Sequence, residues 1–87
     1  MKFIGWAGKE NDKLYGTLED ALAAAGPRNV APVIECEGNF WDDPENEGHP
    51  FGSPKDNPKM NKVVVSLAWA KKQGLITPEQ FKKARGK

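Results

Sequence analysis

The apolar positions of the first 37 residues predict a strand, a helix and a second strand. Residues 3–6 form a short apolar run, and residues 30–37 form a longer one that carries Ile34 and Cys36 on alternate positions. Both runs are typical of β-strands. Between them, apolar side chains recur at the i, i+3, i+4, i+7 spacing of an amphipathic helix, at positions 18, 21, 22 and 25.

Local signals support this helix and a hairpin before it. Thr17 and Asp20 have the spacing of a capping box, and Gly26-Pro27 stops the helix. The polar residues 9–13 predict a turn into Leu14-Tyr15, and therefore a hairpin with the first strand. If the two long strands are parallel neighbours, the helix is a right-handed crossover that covers one sheet face.

Residues 38–57 have a different texture. Prolines and glycines recur through the segment, which predicts a long irregular loop that contains no helix or strand. The segment also carries Phe40, Trp41 and Phe51, and large rings favour burial against the domain or against a partner. We therefore expect an ordered or partly ordered binding loop.

Residues 58–73 are open to two interpretations. The β-branched run Val63-Val64-Val65 is compatible with a strand. Asn57 and Pro58 are typical of a helix start and Gly74 of a helix end, and a helical stripe of apolar residues links them, at positions 60, 64, 67 and 68. The second set of signals favours a helix.

The last segment has a clear helix signature. Thr77 is followed by Pro78 and by Gln80 at capping-box spacing, and Gly86 ends the helix. With the preceding helix, residues 60–85 would form a helical hairpin.

These elements predict a single α+β domain of 87 residues. Residues 1–37 would form a small two- or three-stranded sheet covered by a helix, residues 38–57 a long acidic aromatic loop, and residues 58–87 a basic helical hairpin. A domain of this size buries a limited share of its surface, which disfavours a deep catalytic cleft.

The formal net charge of +1 conceals a strong asymmetry. Residues 35–58 contain seven carboxylates against one lysine, whereas residues 59–87 contain eight cations against one carboxylate. Such polarity concerns partners more than fold.

The residues offer little for catalysis or for metal binding. Cys36 and His49 are the single cysteine and the single histidine, and no local spacing links them as a nucleophile and base or as zinc ligands. Residues 43–48 imitate the first half of a calcium-binding loop, but Pro54 stands where a bidentate glutamate is required. We predict no enzyme, no cofactor and no metal site.

The acidic segment is instead predicted to bind another protein that has a basic patch. Trp41 would be the anchor of this contact, and the carboxylates of the acidic segment would steer association. The alternatives are a solvated acidic loop and rings that pack on the sheet. The candidate residues are Phe40, Trp41, Asp42, Asp43, Glu45, Glu47 and Phe51.

Nucleic-acid binding is the alternative function. Clustered cations release counterions from phosphate, although these cations are also compatible with a solvated helix face. Pro78 and Glu79 stand where a helix-turn-helix would read bases, which weakens that comparison. The candidate residues are Lys71, Lys72, Lys82, Lys83 and Arg85.

Two resemblances to known families imply contact with another protein. Residues 67–85, and especially the motif of residues 72–81, resemble the short helical hairpin called SHOCT, which implies partner or oligomer contact; Trp69 and Lys71-Lys72 depart from its leucine repeats. The strand-helix-strand around residues 17–22 resembles small bacteriophage proteins that bind and inhibit host enzymes, such as RNA polymerase.

No apolar run is long enough to span a bilayer, and the lone cysteine agrees with a reducing compartment. We expect the cytoplasm, which would be that of the host for a phage protein; the oligomeric state is left open.

Overall fold

The computed structural model describes residues 1–10, 13–37 and 40–86. Asn11 and Asp12 of the predicted turn, Gly38 and Asn39 of the predicted loop, and the cation Lys87 lie outside the described residues. The elements are β1 (Lys2–Ala7), β2 (Leu14–Tyr15), α1 (Leu18–Ala25), β3 (Ala31–Glu35), a 3-10 helix (Phe40–Asp42), β4 (Gly48–Pro50), β5 (Lys62–Val65), α2 (Leu67–Lys72) and α3 (Pro78–Ala84).

The described strands form one five-stranded antiparallel sheet in the order β2-β1-β3-β5-β4. The predicted sheet of two or three strands is therefore wrong, because the segments predicted as loop and helix contribute β4 and β5. The architecture is a mixture of an antiparallel sheet and short helices. Its shortest dimension is 16 Å, which accommodates one sheet layer and one helix layer.

The parallel pairing considered for the two long strands is also wrong. Ala7 at the end of β1 pairs with Ala31 at the start of β3. Helix α1 ends near that same end of β1, since a Cβ atom on Gly8 would lie 3.2 Å from the Cβ of Ala25. The first residue of β3 therefore lies beside the last residue of β1, and the two strands run in opposite directions.

The predicted helix over residues 58–73 is replaced by a strand and a shorter helix, so the helical hairpin over residues 60–85 is wrong. Val63, Val64 and Val65 are buried in β5, between β3 and β4. Their β-branched side chains fit a pleated sheet better than a helix. Helix α2 starts instead at Leu67 and is capped by Ser66, whose hydroxyl accepts a hydrogen bond from the N–H of Trp69 at 3.1 Å.

The segment predicted as a long loop contains the 3-10 helix and the short edge strand β4. Gly48 fits this strand because a Cβ there would lie 2.7 Å from the carbonyl oxygen of Val64. The N–H of Phe51 donates to the carbonyl of Lys62, so an amide at Pro50 would point to the open edge. Proline is tolerated at such a position, and it blunts the edge.

The predicted starts of two helices are confirmed. The hydroxyl of Thr17 accepts from the N–H of Asp20 at the start of α1. Thr77 and Gln80 form a complete capping box at the start of α3, with reciprocal hydrogen bonds of 3.0 and 3.1 Å. No helix among residues 1–10, 13–37 and 40–86 has the length and apolar character needed to cross a membrane.

The sheet has a different core on each face. The helices cover the face that carries Trp6, Ile34 and Val63, and the larger core lies there together with Trp69. The opposite face carries a smaller cluster around Val33, Val64 and Phe51. Trp6 and Trp69 are both core residues.

Candidate functional site

The 3-10 helix holds Trp41 in a fixed but exposed position. Phe40 is buried, and its ring meets the rings of Trp69 and Trp41 edge-on, at centroid distances of 5.7 and 5.0 Å. The indole N–H of Trp41 donates to the carbonyl of Met60 at 3.0 Å. The residue nevertheless remains 43% exposed. One large ring is thus anchored at the surface by its neighbour and by its own polar atom.

A hydrogen-bonded turn fixes the chain that follows Trp41. The Oδ1 atom of Asp43 accepts from the N–H of Glu45 at 2.9 Å. The side-chain amide of Asn46 donates to the carbonyl of Phe40 at 2.9 Å. These bonds use the backbone and leave Asp42, Asp43 and Glu45 exposed.

An acidic groove opens beside this turn. It is bounded by the start of β1, the end of β3 and the 3-10 helix, and its floor includes Phe40. We call it the acidic groove; its lining residues are Met1, Lys2, Glu35, Cys36, Glu37, Phe40, Asp42, Asp43, Pro44 and Asn46.

Two of the carboxylates in the acidic groove were not among the predicted site residues. Glu35 and Glu37 belong to the segment predicted as a strand, and they join Asp42 and Asp43 because β3 leads to the groove. Their signal in the sequence was the negative charge that already begins at residue 35. Within the described parts of the chain, no group of three His, Cys, Asp or Glu residues is placed to hold a metal ion.

The structure separates the other members of the predicted acidic site. Glu47 lies in a separate shallow depression that residues of β3, β4 and β5 also line, together with His49 and Ser66. Phe51 is buried in the smaller core. Phe40 and Phe51 therefore belong to two different cores, and of the two only Phe40 reaches the acidic groove, as part of its floor.

Cys36 and His49 do not form a pair. The buried thiol of Cys36 packs in the larger core and donates to the carbonyl of Asn61 at 3.4 Å. His49 is opposite Val64 in the sheet, and Val64 belongs to the smaller core on the other face. Their placement excludes the nucleophile and base arrangement considered from the sequence.

Met60 is a surface residue, although the apolar pattern of the sequence placed it in a helix stripe. It has a positive φ of 52° and is 48% exposed. The loop around it is held by the buried Asn57, whose side-chain amide donates to the carbonyl of Lys62 at 2.8 Å. The Oδ1 atom of Asn57 also accepts from the N–H of Lys62 at 3.4 Å. Trp41 and Met60 are therefore two exposed apolar residues joined by a hydrogen bond.

A second groove lies between α2 and α3. It has a volume of about 420 Å³, and we call it the Phe81 groove; it is lined by Lys71, Pro78, Phe81, Lys82 and Arg85. The Nζ atom of Lys71 lies 4.7 Å from the centre of the Phe81 ring, and the Cζ atom of Arg85 lies 5.1 Å from it. Three of the five predicted cations thus surround one half-buried ring.

The other two predicted cations lie outside the Phe81 groove. Lys83 reaches α1, where its Nζ atom is 3.2 Å from a carboxylate oxygen of Glu19. The pKa of Glu19 is lowered, first by a backbone hydrogen bond and then by the hydrogen bond and charge of Lys83. Lys72 is exposed on α2 and does not line the groove.

Arg28 is a further cation near these helices, outside the set predicted from the sequence. Its N–H donates to the carbonyl of Ala84 at 2.9 Å, and its side chain passes close to Gly86. Arg28 therefore lies at the carboxyl end of α3 and adds positive charge near Arg85.

Comparison with models of protein families found no match, and neither curated proteins nor solved structures gave a similar chain.

Proposed function

We propose that this chain is a non-catalytic protein-binding module that uses the surface around Trp41 to bind a basic patch on another protein. The main support is the state of Trp41, which is 43% exposed although its ring and its N–H are both held in place. Because the ring is already ordered, little side-chain entropy is lost when it enters a pocket.

The charges around Trp41 define the chemistry of this partner. Asp42 and Asp43 line the acidic groove together with Glu35 and Glu37. A lysine or arginine side chain fits such a groove, because its aliphatic part can lie against Phe40 while its charge meets the carboxylates. Exposed carboxylates would mainly increase the rate of association, and Trp41 would supply most of the affinity.

The proposal extends to the consequence of binding and to its place. Like the phage proteins that the chain resembles, it would act in the cytoplasm of a host cell and inhibit an enzyme. The acidic groove would present carboxylates to a basic patch that otherwise meets phosphate.

The first test is an affinity capture from bacterial lysate, with and without nuclease. The test variant is Trp41→Ala, Asp42→Asn, Asp43→Asn, in which the asparagine introduced at position 43 keeps an oxygen acceptor for the N–H of Glu45. The matched control is Glu10→Gln, Leu14→Ala, Glu79→Gln, which removes the same charge and an apolar side chain that is 42% exposed. A partner that survives nuclease, binds the control and is lost from the test variant is expected. Equal capture by both variants would contradict the proposal.

Single substitutions then separate the anchor from its surroundings. With the captured partner, Trp41→Ala should weaken binding by about 2 kcal/mol or more, whereas Glu45→Ala should cost less than about 1 kcal/mol. Trp41→Phe keeps an aromatic ring but lacks the N–H that reaches Met60, so an intermediate loss is expected. Equal losses for Trp41→Ala and Glu45→Ala would exclude Trp41 as the anchor.

A further inference from the structure

The Phe81 groove combines three cations with an aromatic ring. Lys71 and Arg85 both lie within about 5 Å of the Phe81 ring centre, and Lys82 and Pro78 complete the lining. Within the described residues, no carboxylate lines this groove. Its chemistry is therefore suited to a ligand that carries both negative charge and a flat apolar surface.

Helical periodicity explains why these side chains meet. One helix face holds positions i, i+3, i+4 and i+7 of α3 and its C-cap, which are Pro78, Phe81, Lys82 and the C-cap Arg85. Lys71 reaches the same ring from the last turn of α2. Lys83 is on another face of α3 and is directed towards Glu19. The groove is therefore distinct from the remaining basic surface of the two helices.

Charge complementarity favours nucleic acid as the occupant. Phosphates supply regularly spaced negative charge for the three cations, and a base supplies a flat face for Phe81. Arg28 extends the positive surface at the end of α3. An acidic peptide would satisfy the cations, but a carboxylate side chain would not use the ring.

The helices do not suit the reading of a duplex. Helix α2 has six residues and α3 has seven, and Pro78 and Glu79 stand at the start of α3, where a recognition helix contacts base edges. The cations are instead grouped around a ring in a groove of about 420 Å³, which can receive one unstacked base. Bases are free to leave the stack in a single strand.

We propose that the Phe81 groove binds single-stranded nucleic acid without strong sequence preference. Lys82 contacts phosphate, Lys71 and Arg85 move from the ring to phosphates, and one base takes their place against Phe81. This activity uses a different surface from the one around Trp41, so it can be tested independently of the proposed protein binding.

Fluorescence anisotropy with a labelled oligothymidylate of about 12 nucleotides tests the proposal. The affinity is measured from about 50 to about 200 mM salt, and three phosphate contacts predict a slope of about −2 for log affinity against log salt. Lys71→Gln with Arg85→Gln should lower affinity at least about tenfold and reduce the slope to about −0.7. Phe81→Leu keeps the cations and an apolar side chain, so affinity should fall about fivefold or more at an unchanged slope.

The matched control is Lys72→Gln with Lys83→Gln, which removes the same charge from the same two helices but outside the groove. Affinity close to that of the wild type is expected for this control and for the Trp41 triple variant. Circular dichroism verifies that each variant is folded.

Four results would overturn the proposal. They are no binding at low salt, an equal loss in the control, an equal affinity for duplex of the same length, and equally effective competition by polyglutamate. The last result, or salt-sensitive association of the protein with itself, would assign the groove to acidic protein segments.

Discussion

The acidic groove and the Phe81 groove are two charged surfaces that the chain builds in different ways. In the first, Asp42 and Asp43 lie on a connection between strands, where hydrogen bonds from side chains to the backbone fix the turn. In the second, Phe81 and Arg85 share a helix face and the backbone bonds of the helix fix their spacing.

The two surfaces are therefore sensitive to different kinds of substitution. A connection depends on a few particular contacts, so the loss of one contact can displace the whole surface. A helix face depends on a repeating backbone pattern, so single substitutions there should act locally. Substitution of buried supporting residues should therefore disturb the acidic groove more than the Phe81 groove.

The largest effect on stability is expected in the floor of the acidic groove. Phe40→Ala removes a buried ring that packs against Trp69, and it should lower the free energy of unfolding by about 3–5 kcal/mol. Trp41→Ala, one position away, should cost at most about 1.5 kcal/mol because the residue is half exposed. Urea denaturation followed by circular dichroism measures both.

If Phe40→Ala fails to fold, Phe40→Leu keeps the comparison measurable, with an expected loss of about 1–2 kcal/mol. A Trp41→Ala variant as unstable as Phe40→Ala would mean that Trp41 is a core residue. It would remove the argument for an anchor at the surface.

The second effect tests the support beneath Met60. Asn57→Ala leaves the N–H and the carbonyl of Lys62 without their side-chain partner, which should cost about 2 kcal/mol. Asp56→Ala is the control, because its carboxylate accepts from the exposed hydroxyl of Ser53 and its loss should cost less than about 0.5 kcal/mol. Equal stability of the two variants would show that Asn57 does not hold the loop.

The sequence predicted best where a local signal decides the structure. The caps at Thr17 and Thr77 involve neighbouring residues, and both were found. The charge of residues 59–87 predicted the cations of the Phe81 groove as candidate binding residues. Phe81 could have joined that set, because it stands four residues before Arg85 and therefore shares its helix face.

The failures concern contacts between distant parts of the chain. The helical signals at Asn57 and Pro58 outweighed the β-branched run 63–65, because the pairing partners of β5 lie in β3 and in a segment predicted as loop. Likewise, Glu35 of β3 and Asp42 of the 3-10 helix line the same groove, although they belong to different elements. Local pattern carries no information about such pairing.

A smaller effect is expected at the start of α3. Thr77→Ala removes the hydroxyl that accepts from the N–H of Gln80, and should cost about 1 kcal/mol. In a domain of this size, this corresponds to a fall in Tm of about 4–8 °C. Thr77→Ser keeps the hydroxyl and should remain close to the wild type. If Thr77→Ser and Thr77→Ala melt together, the capping box does not contribute to the stability of this region.

The smallest effect separates Lys83 from the cations of the Phe81 groove. The folded-state pKa of Glu19 is lowered by a backbone hydrogen bond and by Lys83, so its contribution to stability is present above the unfolded-state pKa. That contribution is lost as the pH falls through the lowered folded-state pKa. Lys83→Ala should raise the pKa of Glu19 only part of the way to its ordinary value, because the backbone hydrogen bond remains. Lys82→Ala, which removes the same charge from the groove face, should leave this pKa nearly unchanged. A titration of the Glu19 carboxyl signal by NMR measures both, and equal shifts would mean that the general charge of α3, and not the pairing with Lys83, acts on Glu19.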